Sequence, residues 1–204
     1  MAHLRLKSLF CLIVIITTFV GCRDTARSSD TQSKPTPTEV TQSKTPAGDS
    51  PWLKAAETGD LNTINELIAK GVDVNERDKG GRTALVIAVK NEHTSIVKAL
   101  LATKIDIDAA DNIGNTPLLQ AIVRNYLGIT KMLLDQKANV NIKDSNGFSP
   151  LMQAAGAGNL EVTKLLIAKG AYINAKANNG WSALKFAESH ADVIVVLKQA
   201  GAKE

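Results

Sequence analysis

The side chains best suited to nucleophilic, acid–base or metal chemistry are few in this 204-residue sequence: Cys11 and Cys22, and His3, His93 and His190. A catalytic cysteine or serine needs a base within reach and a group that orients the base. Cys11 lies inside an apolar run and Cys22 just after it, far in sequence from His93 and His190. The carboxylates fall one or two at a time between apolar segments, without the spacing of a metal cage. Gly80-Gly81 and Gly156-x-Gly158 lack the lysine and hydroxyl of a phosphate loop, and no Gly-x-Ser-x-Gly elbow occurs. The residues therefore predict a chain that is not an enzyme and uses no cofactor and no metal.

What would position these residues is a repeat. Gly48, Gly81, Gly114, Gly147 and Gly180 recur every 33 residues. The hydroxyls Ser50, Thr83, Thr116, Ser149 and Ser182 keep the same interval, as do Ala55, Ala88, Ala121, Ala154 and Ala187. A fixed period of this length predicts a solenoid in which each unit packs mainly on its neighbours. A hydroxyl followed by proline, as in Thr116-Pro117 and Ser149-Pro150, is an N-cap followed by a residue suited to the first helical turn. Apolar pairs such as Leu67-Ile68, Leu100-Leu101, Leu133-Leu134 and Leu165-Leu166 suit a second helix facing the core. Gly71, Gly170 and Gly201 are placed to end those helices in the left-handed region.

Two stretches carry the pattern in full. One runs Asp111-x-x-Gly114-x-Thr116-Pro117-Leu118-x-x-Ala121, then Leu133-Leu134 and Ala138-Asn139-Val140-Asn141. The other runs Gly147-x-Ser149-Pro150-Leu151-x-x-Ala154-Ala155, then Leu165-Leu166 and Gly170-Ala171-x-Ile173-Asn174. They resemble the ankyrin-repeat family, and the resemblance covers about three quarters of the chain. It implies an all-α solenoid of five helix-turn-helix units joined by β-hairpin loops. The repeat domain is placed at 49–204, with units at about 50–82, 83–115, 116–148, 149–181 and 182–204. In the family a histidine often precedes the second helix; His93 and His190 occupy that slot, which implies a structural role.

Several positions depart from the pattern. Trp52 stands where later units carry Leu85, Leu118, Leu151 and Leu184, as a larger ring would in a first unit with no predecessor. Leu53, Val86, Leu119, Met152 and Lys185 replace the histidine usual after the proline. Lys104 and Lys137 replace the helix-ending glycine, which predicts two strained, left-handed lysines and a softer middle of the array. The fifth unit is two residues short between Ala187 and His190, which predicts a shorter connection between its helices. Both ends are expected to be closed, and the chain monomeric.

The first 21 residues read as a targeting segment. Arg5 and Lys7 precede an apolar run, Leu9 to Val20, too short to span a bilayer and of the length of a secretory signal core. The run ends Phe19-Val20-Gly21-Cys22, which resembles the lipobox of bacterial lipoproteins, with phenylalanine where leucine is usual. That resemblance implies cleavage before Cys22 and its acylation, with anchorage in a bacterial envelope membrane, the outer one facing the periplasm; plain secretion with Cys22 incidental is the alternative. Residues 22–48 hold that cysteine and a linker rich in Ser, Thr, Pro and Lys, whose composition cannot bury a core.

Charge argues against nucleic acid. The chain carries 24 Lys and Arg against 20 Asp and Glu, but residues 49–204 carry 18 against 17. No aromatic and basic stripe suits base stacking. The remaining function is binding another protein. Around each hairpin glycine, the tips carry Lys79, Arg82, Ile113, Asn115, Asn146, Phe148, Asn179 and Trp181. Ile113, Phe148 and Trp181 are expected to be exposed, with Arg77, Lys143 and Lys176 alongside. Lys90, Arg124 and Tyr126 extend the candidate surface onto the helices. Aromatic and arginine side chains dominate interface energies. The reading is a non-enzymatic scaffold or adaptor tethered to a membrane; the alternative is a periplasmic immunity protein or inhibitor that blocks an envelope-acting effector enzyme.

Overall fold

A computed structural model describes residues 50–203. The signal segment, Cys22 and the linker lie outside the described residues. Five pairs of short helices follow one another: α1 (Pro51–Thr58) with α2 (Leu61–Ala69), α3 (Ala84–Lys90) with α4 (Thr94–Leu101), α5 (Pro117–Val123) with α6 (Leu127–Asp135), α7 (Pro150–Gly156) with α8 (Leu160–Ala168), and α9 (Ala183–Phe186) with α10 (Ala191–Gln199). First helices pack on first helices and second on second along the array. The units meet as the period predicts, and the array is all-helical.

The helix starts follow from their caps. Thr83, Thr116 and Ser149 are extended, and their hydroxyls accept the N–H of Val86, Leu119 and Met152. Ser50 and Ser182 make no such bond. The Ser50 hydroxyl instead donates to Glu76 Oε2 at 2.8 Å, tying the start of the array to its first hairpin. Pro51, Pro117 and Pro150 open their helices, where the missing N–H costs nothing.

The core is a set of rows. Trp52, Leu85, Leu118 and Leu151 are at most 1% exposed. The alanine row beside them is at most 4% exposed, which lets the first helices approach one another. Another row runs through the second helices as Ile64, Val97, Thr130 and Thr163, all fully buried. The two threonine hydroxyls in it have no hydrogen-bond partner. The Trp52 ring closes the first end, as its size suggests, although its Nε1 is also buried without a partner.

Three expectations are corrected. Lys137 is left-handed (φ 66°), as are Gly71, Gly170 and Gly201, but Lys104 is not. There α4 stops at Leu101, and both the N–H and the hydroxyl of Thr103 bond the Leu100 carbonyl, at 2.9 and 2.6 Å. The hydroxyl satisfies the carbonyl that the residue after a left-handed one serves in the other units, as Ala138 N–H does for Leu133. The deletion in the fifth unit shortens α9 to four residues and leaves the connection in place. The second end is not closed: Ile194, which continues the buried Ile64 row, is only half-buried.

This difference between the two lysines is measurable. Replacing Lys137 by glycine removes left-handed strain and should stabilise the domain by about 1 kcal/mol in urea unfolding. Replacing Lys104 should give no gain, because its backbone is ordinary and glycine adds unfolded-state entropy. Equal gains at both sites would contradict the two different helix ends.

Candidate partner-binding surface

The hairpin tips are set by one repeated device. Asp78 Oδ1 accepts the N–H of Gly80 and Arg82, both at 2.8 Å. Asp111 does the same for Ile113 and Asn115, and Asp144 for Asn146 and Phe148. In the last hairpin Ala177 replaces the aspartate, and Asn179 Oδ1 takes the Trp181 N–H instead, at 3.0 Å. Each hairpin is closed by one backbone bond, from the N–H of Asp78, Asp111, Asp144 and Ala177 to the carbonyls of Arg82, Asn115, Phe148 and Trp181 at 2.9–3.1 Å; isolated β-bridges join Arg77 to Thr83 and Lys176 to Ser182.

The second tip is locked to the first, and the fourth to the third. The Asn112 N–H donates to the Gly80 carbonyl at 2.9 Å and its side chain to the Lys79 carbonyl at 3.1 Å. Asn178 repeats this on the Asn146 and Ser145 carbonyls. Gly81, Gly114 and Gly147 have φ of 76–81°, and a Cβ there would collide with Asn112, Ser145 or Asn178. Only glycine meets both demands.

Two basic residues of the tip row serve this stacking. Arg77 Nη1 donates to the Ala110 carbonyl at 2.5 Å, and Lys143 Nζ to the Lys176 carbonyl at 2.8 Å. Arg82 is bound to Asp78 through Nε at 2.6 Å and Nη2 at 2.5 Å. The basic edge read from the sequence is thus largely engaged in holding hairpins together. Lys79 and Lys176 are exposed.

The apolar tips divide. Ile113 is 66% exposed and Trp181 46%. Phe148 is half-buried, its ring edge-on to Phe186 with centroids 5.2 Å apart, so packing does use it. Trp181 also meets Phe186, with centroids 5.3 Å apart, and Lys185 Nζ lies 5.9 Å from the indole centroid. Phe186 was missed in the sequence. It stands in the inner-helix row of Lys54, Ile87, Gln120 and Gln153, where an aromatic residue in the last position was a visible signal.

Inner-helix residues meet a tip at the first end of the array. At the first end, a depression of about 270 Å³ is lined by Lys54, Glu57, Lys90 and Asn91 from the helices and by Asp78, Lys79 and Arg82 from the hairpin. The register carries Glu57 and Lys90 on to Val123, which is 59% exposed, and to Gly156. Arg124 and Asn115 belong to the same face, Arg124 exposed and Asn115 half-buried. Asn146 and Asn179 are exposed at their tips. Tyr126 is set apart: it precedes α6 and is half-buried against the core. His93 and His190 precede α4 and α10, and their Nε2 atoms lie 3.1 and 3.2 Å from the Glu57 and Gly156 carbonyls of the previous unit. Both rings therefore help hold neighbouring units together.

The ion pairs shape this groove. Glu57 sits below the ordinary carboxylate range, first through the Lys54 hydrogen bond and charge, then through Arg82 and Lys90. For Asp78, burial pushes the carboxyl upward, but Arg82 and the backbone N–H donors outweigh it and the group lies below its ordinary value. A depressed carboxylate adds stability above its unfolded pKa, and this is lost as pH falls through the folded value. Asp78→Asn should therefore lower stability at neutral pH by about 1 kcal/mol, since the pair is partly exposed. The deficit should disappear in acid, below the ordinary aspartate range. Urea unfolding at both pH values checks this, and a deficit independent of pH would contradict it.

Comparison with known families agrees with this geometry. The family described as ankyrin repeats (3 copies) matches residues 52–144 and 124–203. A search of curated proteins gives no match. Ankyrin-repeat domains are typically non-catalytic binding modules, and their partners are generally proteins. With a family match over most of its length and five stacked helix pairs in one register, the chain belongs to the ankyrin-repeat family.

Proposed function

We propose that this chain is a scaffold or adaptor that holds another protein on its hairpin tips and inner helices while Cys22 tethers it to a bacterial envelope membrane. The observation that carries the binding reading is the placement of Ile113, Val123 and Trp181. These apolar side chains stand exposed along the tips and inner helices, while the rows behind them are closed. A contiguous exposed apolar patch with a polar rim is the usual mark of an interaction surface, and we read these three side chains as parts of one such patch. Lys79, Lys90, Arg124, Asn146 and Asn179 supply such a rim. The array needs no rearrangement to present them, so little conformational entropy is lost on binding.

The tether rests on the sequence Phe19-Val20-Gly21-Cys22 after an apolar run. Acyl chains on Cys22 would hold the protein firmly, each buried methylene adding ~0.8 kcal/mol. Residues 23–47, rich in Ser, Thr, Pro and Lys, have the composition of a tether rather than of a core. The place that fits best is the outer membrane, facing the periplasm.

Two measurements test the two halves separately. A photo-crosslinking amino acid at Val123 should capture one protein in the native envelope, and the same group at Lys131, on a second helix, should not. Equal capture at both positions would remove the inner face from consideration. Changing Cys22 to alanine should abolish palmitate labelling and move the chain from the membrane fraction to the soluble one. A variant that stays membrane-bound without the label would refute lipid anchorage.

A further inference from the structure

The first hairpin carries a side-chain pair that its turn does not need. Asp111 and Asp144 each accept two backbone N–H groups, and those bonds shape the second and third tips without a charged partner. Asp78 accepts the same two bonds and, in addition, the guanidinium of Arg82, where later units carry Asn115, Phe148 and Trp181. The Asp78 side chain is 12% exposed and that of Arg82 37%. Arg82 uses Nε and Nη2 on the carboxylate, and Nη1 has no partner among the described residues. A guanidinium held in this way is a fixed, permanently charged donor with one edge free.

The tip beside this pair is bare. Gly80 stands where the next tips carry Ile113, Asn146 and Asn179, and its φ is not positive, so the turn does not demand glycine there. A Cβ on it would lie 3.2 Å from Asp78 Oδ1 and 3.5 Å from Arg82 Nε, crowding the pair. Arg82 and Lys79 instead line the depression of about 270 Å³ with Lys54 and Glu57 of α1 and Lys90 of α3. Its walls are α1, α3 and the hairpin between them, so it lies within the array.

Charge decides what suits it. Two pairs close inside the depression, Lys54 on Glu57 at 3.0 Å and Arg82 on Asp78. Beyond them, Lys79 Nζ has no partner among the described residues, and Lys90 acts on Glu57 through charge alone. Both lysines are exposed. Positive charge is therefore in excess, while Glu57 and Asp78 remain ionised and repel a second negative charge. That favours a singly charged carboxylate over a phosphate. We propose that this depression is a carboxylate subsite that takes an aspartate or glutamate side chain of the bound protein, with Arg82 as the positioned donor and Lys79 and Lys90 as flanking charges. The proposal rests on the inner face being a protein-binding surface: Lys90 holds the place that Val123 holds in the next unit, so a segment lying along that row meets both.

Zero-length coupling tests it, because a carbodiimide activates a carboxylate and an adjoining lysine amine then displaces the activating group to form an amide. The full chain is treated in its native envelope, and peptides joined through Lys79 or Lys90 are sequenced by mass spectrometry. One or both lysines should be joined to an aspartate or glutamate of the same protein that a photo-crosslinker at Val123 captures, and Lys131, exposed on α6, should not. Arg82→Asn brings in the residue of the second hairpin, which the same turn accommodates. With helical circular dichroism retained, it should lower the yield of the link about tenfold, as loss of a charge-assisted bond does. Lys98→Asn, at an exposed site on α4, should leave the yield unchanged. Capture at Val123 with Lys79 and Lys90 joined to nothing, or only to carboxylates of this chain, would overturn the subsite and leave the inner-face reading standing. No capture at Val123 and no link at either lysine would remove both. Linkage to a lipid headgroup, or a yield indifferent to Arg82→Asn, would also overturn the proposal.

Discussion

The structure depends on one contact repeated along its length, the stacking of each helix pair on the next. No unit has enough apolar surface on its own side to bury both faces of its helices. Leu118, for example, is closed only because Leu85 and Leu151 stand in register on either side. Burying a large aliphatic side chain contributes about 1.5–3 kcal/mol, and each interface contains several. A single hydrogen bond contributes about 0.5–1.5 kcal/mol net. The apolar rows therefore supply most of the free energy of association, and the hydrogen bonds fix the register.

That register is held by a second, polar ladder. Asn75, Asn141 and Asn174 each accept a backbone N–H from the segment that follows, at 2.7–2.8 Å, and Asp108 accepts the Asn139 N–H. Between tips, Asn112 and Asn178 donate instead, through backbone and side chain, to carbonyls of the preceding tip. A slip of one residue would break every one of these bonds and pull the glycines away from their contacts. The tips are consequently rigid, although they lie on loops. Rigidity lets loop residues such as Ile113 act as fixed points on a surface rather than as mobile side chains.

Most of this architecture was legible because a period is a redundant signal. Five copies of a hydroxyl, an alanine and a glycine fix the helices, their caps and their direction, and one atypical residue does not blur the rest. What could not be read were features that depend on two units at once. Arg77 and Lys143 look like a binding edge in sequence, yet their partners are carbonyls 33 residues away. Phe148 looks like an exposed tip until Phe186 is known to lie beneath it. Lys104 looked left-handed because its neighbour in the pattern is glycine, and the competing hydroxyl of Thr103 lay one residue earlier. Across the candidate surface, the pattern located the positions, and pairwise contacts decided which side chains were available.

The two buried threonines carry a consequence of another kind. An array of this sort conducts force in series: a pull on the last unit passes through every interface, with no parallel path. Thr130 and Thr163 put unpaired hydroxyls into the two interfaces nearest the far end, where Ile64 and Val97 put methyl groups into the first two. A buried hydroxyl without a partner costs about 1–3 kcal/mol. Such sites lie at both ends of the array, since Trp52 Nε1 is unpartnered in the first unit as well. Under load each of them is a place where neighbouring units would part more readily than across an apolar row.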